Sequence, residues 1–348
     1  MFYIHQTSCI SPQQTFGDVD IKTLQESTEK KLNALEPNYE GIPPGILRRM
    51  GKAVRMGVGA SLPLLQNNSL PDGIIIGTAN GGKGDCVKFL NQVIEYEEGV
   101  LTPINFVQST PNAIGAQISL LTGSKGYNTT HLQQGLAFEY AMIDADMMIN
   151  EYPQKSYLLG ASDDISLHNY YFEDKGDWYK KDNHTNKELY EINSPGSMAG
   201  EGAAMFLVNG IALDAIAKLV EVDTFQNDDE GIFKKRLKEF IEKHLPPNET
   251  IDLLISGENG DSRLSKYYST CESLIGEGAT VARYKHMCGE YPTATAMALW
   301  LCCEIIQKQF IPEHMIKKSG SVSAYKNILI YNNYKGVQNS FMLLSVNK

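Results

Sequence analysis

The sequence predicts an α/β fold, because apolar runs of strand length alternate along the chain with segments of helical spacing. Residues 73–77 (GIIIG) and 157–160 (YLLG) are short, continuous apolar runs, which are typical of strands buried on both faces. Residues 114–121 and 136–149 instead place apolar side chains at helical spacing and contain little β-branching. Strands and helices therefore alternate as they do in layered α/β proteins.

After Gly200, residues 200–210 (GEGAAMFLVNG) are expected to form a glycine-rich turn that runs into a strand, and a second round of the same alternation follows. The expected elements of this second round, in chain order, are an acidic helix at 229–244, a strand at 251–256, a helix at 294–309, and closing strands near Ile328 and Phe341. We therefore expect two α/β halves, residues 1–210 and 211–348. In the first half, the polar and aromatic segment 168–195 is expected to be a long surface excursion, mainly a solvated loop.

Composition and charge exclude several partners. The chain has 348 residues, 42% of them hydrophobic, which is enough for one or two domains with sizeable cores. Its net charge of −10 should repel nucleic acid and anionic membranes. No apolar run approaches the roughly 18 residues of a spanning helix, and the first residues lack a signal-peptide pattern. We expect a cytoplasmic protein without a membrane span.

The sequence predicts neither a metal nor a cofactor. The six cysteines show no zinc-type spacing and no disulfide density, so they should be reduced and mostly buried. Residues 77–84 (GTANGGKG) have the G-x-x-x-x-G-K spacing of a phosphate-binding loop. However, Gly84 stands where that loop needs a Ser or Thr hydroxyl to hold Mg²⁺. We therefore attribute these glycines to packing and loop geometry.

Residues 106–141, FVQSTPNAIGAQISLLTGSKGYNTTHLQQGLAFEYA, resemble the approach to the active site of β-ketoacyl synthases, the carbon–carbon condensing enzymes of fatty acid and polyketide assembly. Three further segments are similar to that family in order and spacing: 48–61 (RRMGKAVRMGVGAS), 200–208 (GEGAAMFLV) and 331–344 (YNNYKGVQNSFMLL). The resemblance implies a duplicated thiolase-like fold with α/β/α/β/α layers. It also implies a dimer.

The three catalytic positions of that family are all changed in this chain. The resemblance places Gly135 at the nucleophilic cysteine, Ser256 at the first histidine and Glu290 at the second. Condensation needs a thiolate to take the acyl chain and two imidazoles to support decarboxylation and stabilise the enolate. An ionised carboxylate at position 290 would repel both malonate and an oxyanion. The substitutions predict that condensation by the usual route is absent.

A ketosynthase-like chain without the catalytic cysteine resembles a chain length factor, which often has Gln at that position. The resemblance implies a subunit that pairs with an active ketosynthase and shapes the acyl tunnel by volume exclusion. A one-residue shift would place Gln134 instead of Gly135 at the nucleophile position, and the sequence leaves both registers open. It also leaves open whether the partner is an active ketosynthase or a second copy. The composition resembles ketosynthase-like chains of aryl polyene or flexirubin-type pathways.

A local basic cluster is a possible docking site for an acyl carrier protein. Arg48, Arg49, Lys52 and Arg55 stand at helical spacing and could dock an acidic acyl carrier protein. An ordinary helix with a solvated basic face explains the same four residues equally well. If the partner docks the carrier, this chain needs no carrier site.

A second class of function is an acyltransferase or hydrolase with an unorthodox site. His286, Cys288 and Glu290 alternate and would share one face of a strand, as a nucleophile with its base or a metal site requires. His131 and Ser256 are further candidates for such a site. The residues expected to line the site under either interpretation are His131, Gln133, Gln134, Glu258, Lys285, His286, Cys288 and Tyr334.

Two polar residues lie one turn into the helix that follows Gly135. Glu139 and Tyr140 interrupt an otherwise apolar stretch of that helix. They either line the site or form hydrogen bonds between helices.

Overall fold

The structure is a computed structural model that describes residues 1–66, 70–101, 103–182, 184–322 and 324–346. The strands are β1 (Phe2–Ile10), β2 (Lys31–Leu32), β3 (Gly73–Gly77), β4 (Tyr127–His131), β5 (Tyr157–Asp163), β6 (Ala199–Gly200), β7 (Gly202–Asn209), β8 (Ala217–Gln226), β9 (Leu253–Ser256), β10 (Thr280–Arg283), β11 (Ile316–Lys318), β12 (Asn327–Tyr334) and β13 (Gln338–Val346). The α-helices are α1 (Pro44–Leu47), α2 (Lys52–Gln66), α3 (Lys83–Glu95), α4 (Pro103–Gln108), α5 (Ala113–Thr122), α6 (Ala137–Glu151), α7 (Leu167–Lys175), α8 (Glu230–His244), α9 (Ser265–Leu274), α10 (Lys285–Cys288) and α11 (Thr295–Lys308). These elements confirm the α/β class.

Sequence patterns explain several of these elements directly. Every residue of β3 is buried, as its continuous apolar run predicts. Helix α8 begins after Asp229, whose side chain accepts a hydrogen bond from the N–H of Ile232, and it buries one stripe that contains Phe233, Leu237 and Phe240. Helix α11 is apolar on nearly all sides and is buried along almost its whole length. It therefore belongs to the interior of the fold.

Eleven of the described strands form one large sheet with an internal repeat, and β2 and β6 pair as a separate two-stranded sheet. The order of the large sheet is β11-β10-β9-β12-β13-β8-β1-β7-β5-β3-β4. Five strands of each half follow the same order from the middle of the sheet outward: β1-β7-β5-β3-β4 in the first half and β8-β13-β12-β9-β10 in the second. If the five strands of each set are numbered along the chain, both sets read first, fifth, fourth, second and third. Strand β11 lies outside this repeat, at the end of the sheet. The two sets meet where β1 pairs antiparallel with β8. This repeat supports the division into residues 1–210 and 211–348, which remains a proposal.

Hydrophobic clusters place the helices in layers. The largest cluster contains residues of α6 and α11 together with strands from both halves of the sheet, and Trp300 lies at its centre with 1% exposure. Helices α2 and α5 cover the other face of the first half, and α8 and α9 cover that of the second. The layer order is therefore α/β/α/β/α, with α6 and α11 in the middle.

The segment 168–195 is only partly the solvated loop that its composition predicts. Its first part forms α7, and its second part alternates exposed residues with the buried Lys180, His184, Asn186 and Leu189. The ammonium group of Lys180 donates hydrogen bonds to the carbonyl oxygens of Ile192, Ser194 and Gly260 at 2.8–2.9 Å. Asn186 is also fully buried. These contacts tie the segment to the loop after β9, a long-range packing that the polar sequence does not reveal.

Candidate functional site

The chain makes a sharp turn between β4 and α6. The strand ends at His131, a short 3-10 turn covers Gln134–Leu136, and α6 begins at Ala137. Gln134 has a φ of 54°, a left-handed conformation that is uncommon for residues other than glycine. The N–H of Gly135 donates to the side-chain oxygen of Gln338 at 2.9 Å. The turn that the resemblance implies is therefore present, and β13 holds it in place.

Tyr334 occupies the space in front of this turn. A Cβ placed on Gly135 would stand 2.3 Å from both Cβ and Cγ of Tyr334. Contacts of this length do not occur between nonbonded carbon atoms. A side chain at position 135, including a cysteine, therefore has no room while Tyr334 keeps this position.

The hairpin between β12 and β13 carries Tyr334 to this position. Lys335 and Gly336 form its tip with φ values of 55° and 79°, and the N–H of Val337 bonds back to the carbonyl of Tyr334. Two consecutive positive φ values are typical of tight hairpin turns. The tight turn fixes Tyr334 as the last residue of β12, facing the Gly135 turn.

Ser256, which the sequence resemblance places at the family's first histidine, is the last residue of β9. It is fully buried, and its Oγ accepts a long hydrogen bond of 3.3 Å from the N–H of Glu258. Glu258 in turn forms ion pairs with Lys317 at 2.6 Å and Arg283 at 3.5 Å. The described residues place no imidazole against the Ser256 hydroxyl, so it lacks a base.

Glu290, which the sequence resemblance places at the second histidine, forms an ion pair with Lys285. The two charged groups are 2.7 Å apart, and the lysine side chain is fully buried. The side-chain amide of Asn259 donates to the other carboxylate oxygen at 2.7 Å. The repulsion of anions expected from Glu290 is therefore largely offset by Lys285. The pair serves structure instead of the proton transfer that a histidine would perform.

Glu139 is buried one turn into α6. Burial raises the pKa of its carboxyl to about 7, although a hydrogen bond from the Ser340 hydroxyl at 2.8 Å and the charge of Lys285 act in the opposite direction. Its second oxygen has no partner among the described residues. The Ser340 hydroxyl lies on β13, and the Thr295 hydroxyl of the neighbouring helix α11 also lowers the pKa of Glu139.

His286 belongs to a buried chain of hydrogen bonds. Its Nε2 lies 2.9 Å from Nδ1 of His314, its Nδ1 lies 3.2 Å from the Tyr190 hydroxyl, and Nε2 of His314 lies 3.0 Å from the Ile21 carbonyl. The Ile21 carbonyl only accepts, so Nε2 of His314 carries a proton, and the whole chain of hydrogen bonds is satisfied with both rings neutral. Burial, with His314 and the Arg283 charge, lowers the pKa of His286 to about 3. His286 therefore fastens three segments together.

Cys288 does not share a face with its charged neighbours. It ends the single turn α10 instead of lying on a strand, and His286, Cys288 and Glu290 contact different groups. The thiol is fully buried, and this burial raises its pKa to about 12. A thiol of this kind is not a nucleophile near neutral pH. The strand geometry on which the Cys-His-Glu hypothesis depends is absent from these residues.

His131 pairs with a carboxylate at the edge of the sheet. Its Nε2 lies 2.8 Å from Asp144 of α6, and the Tyr127 hydroxyl donates to the same carboxylate at 3.0 Å. Gln133 and Gln134 are exposed just beyond it. Asp144 therefore links both ends of β4 to α6, while the two glutamines point away from the protein core.

A pocket lies beside the Gly135 turn, with Tyr334 in its wall. It contains about 560 Å³ of empty space, part of it open to solvent. It is lined by Asn80, Asp164, Ile165, Asn169, Tyr170, Glu173, Trp178, Tyr179, Gly200, Asn259, Leu264, Glu290, Tyr291, Pro292, Tyr334 and Lys335. Of the residues that the sequence proposed for the site, the pocket brings together Glu290 and Tyr334. Much of the rest of its wall comes from segment 168–195.

The sequence interpretation missed an acidic group at this pocket. Burial raises the pKa of Asp164 to about 7, and the neighbouring Glu201 and Asp163 raise it further. Glu201 is fully buried, forms an ion pair with Lys52 and accepts the N–H of Ile165 at 3.0 Å. The signal available in the sequence is Glu201, which lies inside the GEGAA segment that resembles the family motif.

The basic cluster differs from its prediction. Helix α1 ends at Leu47 and α2 begins at Lys52, so Arg48 and Arg49 lie between helices. Lys52 is bound to Glu201, and Arg55 pairs with Glu36 at 2.8 Å. The helical spacing was wrong for this segment, and the two helical residues are already engaged. Arg48 and Arg49 remain exposed.

Other general expectations can be compared with the described part of the chain. The six cysteines are free, and five of them are buried, which confirms the prediction for the thiols. Among the described residues, no group of three or more His, Cys, Asp or Glu is arranged to hold a metal ion. Within the same residues, the helices are too short or too polar to cross a membrane.

Solved structures match this fold over its whole length, whereas no family model and no curated protein matches the sequence. The ishigamide ketosynthase/chain length factor has a TM-score of 0.76 at 14% identity, with 100% of this chain and 99% of that chain covered. A β-ketoacyl synthase from Burkholderia phymatum has the same score, identity and coverage. The ketosynthase ApeO in complex with its chain length factor ApeC, from Xenorhabdus doucetiae, has a TM-score of 0.76 at 13% identity over 99% of this chain and 98% of that chain.

These likenesses establish the fold. The chain has the thiolase-like architecture of ketosynthases and of ketosynthase/chain length factor proteins, which confirms the fold that the sequence motifs implied. Fold alone does not assign a reaction, since one architecture carries many functions. The function must therefore be argued from the site.

Proposed function

We propose that this chain is a noncatalytic ketosynthase-like subunit, of the chain-length-factor type, that pairs with an active ketosynthase and shapes its acyl tunnel. The observation that carries the proposal is the contact between Gly135 and Tyr334. The turn that would present the nucleophile has no side chain, and the space for one is filled by a tyrosine. A chain that cannot hold an acyl group at this turn cannot condense it by the usual route.

The alternative nucleophiles lack what a reaction needs. Cys288 is buried with a raised pKa, and Ser256 has no imidazole beside it among the described residues. His131 is paired with Asp144 at the sheet edge, where the described chain places no cysteine or serine hydroxyl against it. An acyltransferase or hydrolase would have to rearrange one of these sites. The structure thus favours a subunit role over an unorthodox enzyme.

The edge of the sheet supports a partner. Strand β4 is the last in the sheet and pairs only with β3 in the described chain, so its second edge is available for another strand. Exposed apolar side chains lie around it, including Tyr127, Leu132 and Leu120 of the neighbouring α5. Unpaired strand edges with apolar surroundings are typical of protein–protein interfaces. We propose that the partner adds its own edge strand here.

Two of the structures with this fold are themselves assemblies of the proposed kind. One contains a ketosynthase together with its chain length factor, and another contains a type II polyketide acyl carrier protein in complex with its ketosynthase. By analogy, the partner is an active ketosynthase or a second copy, and an acyl carrier protein docks mainly on the active partner. A cytoplasmic location is part of the same proposal.

Intact-mass analysis tests the proposal. The purified chain is incubated with malonyl- and medium-chain acyl-carrier thioesters, first alone and then with a catalytically active ketosynthase from the same organism. The expected result is no acyl adduct on this chain, acylation of the partner and co-elution of the two chains in size-exclusion chromatography. A covalent adduct on this chain alone would overturn the noncatalytic role. Failure of the two chains to co-elute would overturn the heterodimer and leave the second copy as partner.

A further inference from the structure

Helix α7 covers the pocket but is not anchored by a core. None of its described residues, Leu167–Lys175, is buried, and Leu167, Tyr171 and Phe172 are more than half exposed. Asn169, Tyr170 and Glu173 on its other side line the pocket. Segments with few buried apolar contacts open at low cost in free energy. The helix is therefore held over the pocket by a small number of specific contacts.

Both ends of α7 are fixed to the rest of the protein. Before the helix, the N–H of Ile165 donates to the buried carboxylate of Glu201 at 3.0 Å. After it, Trp178 and Lys180 exchange backbone hydrogen bonds of 2.9 Å with Ser197. Between these anchors, Asp177 has a φ of 56°, a strained conformation for an aspartate. The helix can therefore move as a unit between two fixed points.

One lysine from the β12–β13 hairpin closes the helix onto the pocket. The Lys335 ammonium group forms an ion pair with Glu173 of α7. The same ammonium lies 5.1 Å from the ring centre of Trp178 and 5.3 Å from that of Tyr334. Cation–π contacts of this length are attractive. Lys335 thus joins α7, the anchored Trp178 and the tyrosine that covers Gly135.

Aromatic stacking and a second cation–π contact also hold α7 in place. The Tyr170 ring of α7 stacks on Tyr179 with centres 5.1 Å apart, and Lys31 lies 3.8 Å from the centre of the Tyr170 ring. The Nδ2 of Asn169 is buried without a hydrogen-bond partner in the described chain. Because a buried, unpaired donor is unfavourable, it destabilises the position in which α7 covers the pocket. Polar and charged contacts therefore hold α7 closed, with one unsatisfied group opposing them.

We propose that α7 is a lid over the pocket beside Gly135, and that Lys335 is the latch that keeps it closed. In the closed position, the lid and Tyr334 lie together on the pocket side of Gly135, which is buried. Opening requires the Lys335–Glu173 pair to break and exposes the pocket wall next to Trp178. Because the latch is a partly exposed ion pair, salt weakens it. The lid does not depend on the proposed function.

Trp178 provides a direct reporter of the lid. The chain has two tryptophans, and Trp300 lies in the core. In a Trp300→Phe background, the fluorescence of Trp178 is measured with increasing acrylamide for the parent, Lys335→Met and Glu173→Gln. The control is Lys88→Met, which removes a lysine from the exposed pair with Asp85 on α3. The quenching constant is expected to rise about twofold or more in the two latch variants and to stay unchanged in the control.

Salt gives a second arm of the same experiment. Raising NaCl from about 0.05 M to about 0.5 M should increase quenching in the parent but not in Lys335→Met, in which the latch is already gone. Equal quenching in parent, latch variants and control would overturn the lid. If Trp300→Phe does not fold, hydrogen exchange of the α7 amides is compared between wild type, Lys335→Met and Lys88→Met. Faster exchange in Lys335→Met alone supports the latch, and identical exchange in all three overturns it.

Discussion

The ammonium group of Lys285 lies 2.7 Å from the carboxylate of Glu290, and the lysine side chain has no exposed surface. Removing one partner of a buried pair leaves an uncompensated charge, which is far more costly than removing both. We therefore expect Glu290→Gln to lower the free energy of unfolding by about 3–5 kcal/mol. Urea denaturation monitored by circular dichroism measures this change.

Two variants distinguish the loss of stability caused by breaking the buried Lys285–Glu290 pair from the loss caused by removing any carboxylate. Glu173→Gln removes a carboxylate from the half-exposed pair with Lys335 and should cost at most about 1 kcal/mol. The double variant Lys285→Met with Glu290→Met should recover much of the loss, because no charge is then left buried. A Glu290→Gln protein no less stable than Glu173→Gln would refute the structural role of the pair.

The close contact between Gly135 and Tyr334 predicts that any side chain at position 135 is destabilising. A Cβ there would stand 2.3 Å from Tyr334, so the hairpin must shift to admit it. We expect Gly135→Ala to lower the free energy of unfolding by about 1–3 kcal/mol, as overpacking does. Thermal and urea unfolding measure the loss.

The matched control is Gly45→Ala, since a Cβ on Gly45 meets nothing within 4 Å. Its effect on stability should be small. A Tyr334→Gly background should remove most of the penalty of Gly135→Ala, because the Cβ and ring atoms of Tyr334 that oppose the new Cβ are then absent. Additive losses in the double variant would mean that the two residues do not interact.

Local patterns were enough to predict much of the fold. The apolar run 73–77 forms β3 with the expected bounds, and the helix predicted at 294–309 is α11 at 295–308. These elements depend on short-range periodicity, which the sequence displays directly. Helix α3 was missed because none of its described residues is buried and its glycines and lysines resembled a loop. Its stability comes from contacts with α4 instead of a buried stripe.

The candidate site was predicted less completely, because its character depends on residues distant in sequence. The sequence could show that Gly135 has no side chain, but not that Tyr334 fills the space in front of it. It could show a carboxylate at position 290, but the pairing with Lys285 needed the fold of α10. The polar segment 168–195 looked solvated because its sequence does not show that it packs on the loop after β9, where the Gly260 carbonyl accepts a hydrogen bond from Lys180.

The buried His286 predicts a loss of stability in acid. Its pKa is about 3 in the folded protein against an ordinary 6.5, so the unfolded chain binds an extra proton between these values. The stability that neutral His286 contributes is complete above pH 6.5 and is lost as the pH falls towards 3. The groups facing His286 are His314, Tyr190 and Arg283, and of these the arginine charge also opposes protonation.

Urea denaturation of His286→Gln between pH 7 and pH 4 measures this contribution. Glutamine cannot gain the proton, so the variant should be less stable than wild type at pH 7 and the difference should shrink as the pH falls. His168→Gln, at an exposed position on α7, should follow wild type at every pH. A difference between His286→Gln and wild type that stays constant over this range would exclude the histidine as the source of the acid sensitivity.

Glu139 changes the pH dependence of the stability in the opposite direction to His286, because it destabilises the fold as the pH rises. Burial raises its pKa from 4.5 to about 7, so the folded protein holds a proton that the unfolded chain has released between these values. Its stabilising contribution is complete below pH 4.5 and is lost as the pH rises through 7. Glu139→Gln keeps a neutral acceptor for the Ser340 hydroxyl but cannot ionise. Relative to wild type, this variant should therefore become more stable from pH 5 to pH 8.

Asp164 must be separated from Glu139, because its pKa is also raised to about 7 by burial and nearby acids. The double variant Glu139→Gln with Asp164→Asn should show a larger relative gain at pH 8 than either single variant, since the two carboxyls titrate in the same range. Glu95→Gln, an exposed carboxylate at the end of α3, serves as the control and should show no gain. If the difference between Glu139→Gln and wild type did not change from pH 5 to pH 8, Glu139 would be ionised in the folded protein throughout, and Lys285 would have to neutralise it together with Glu290.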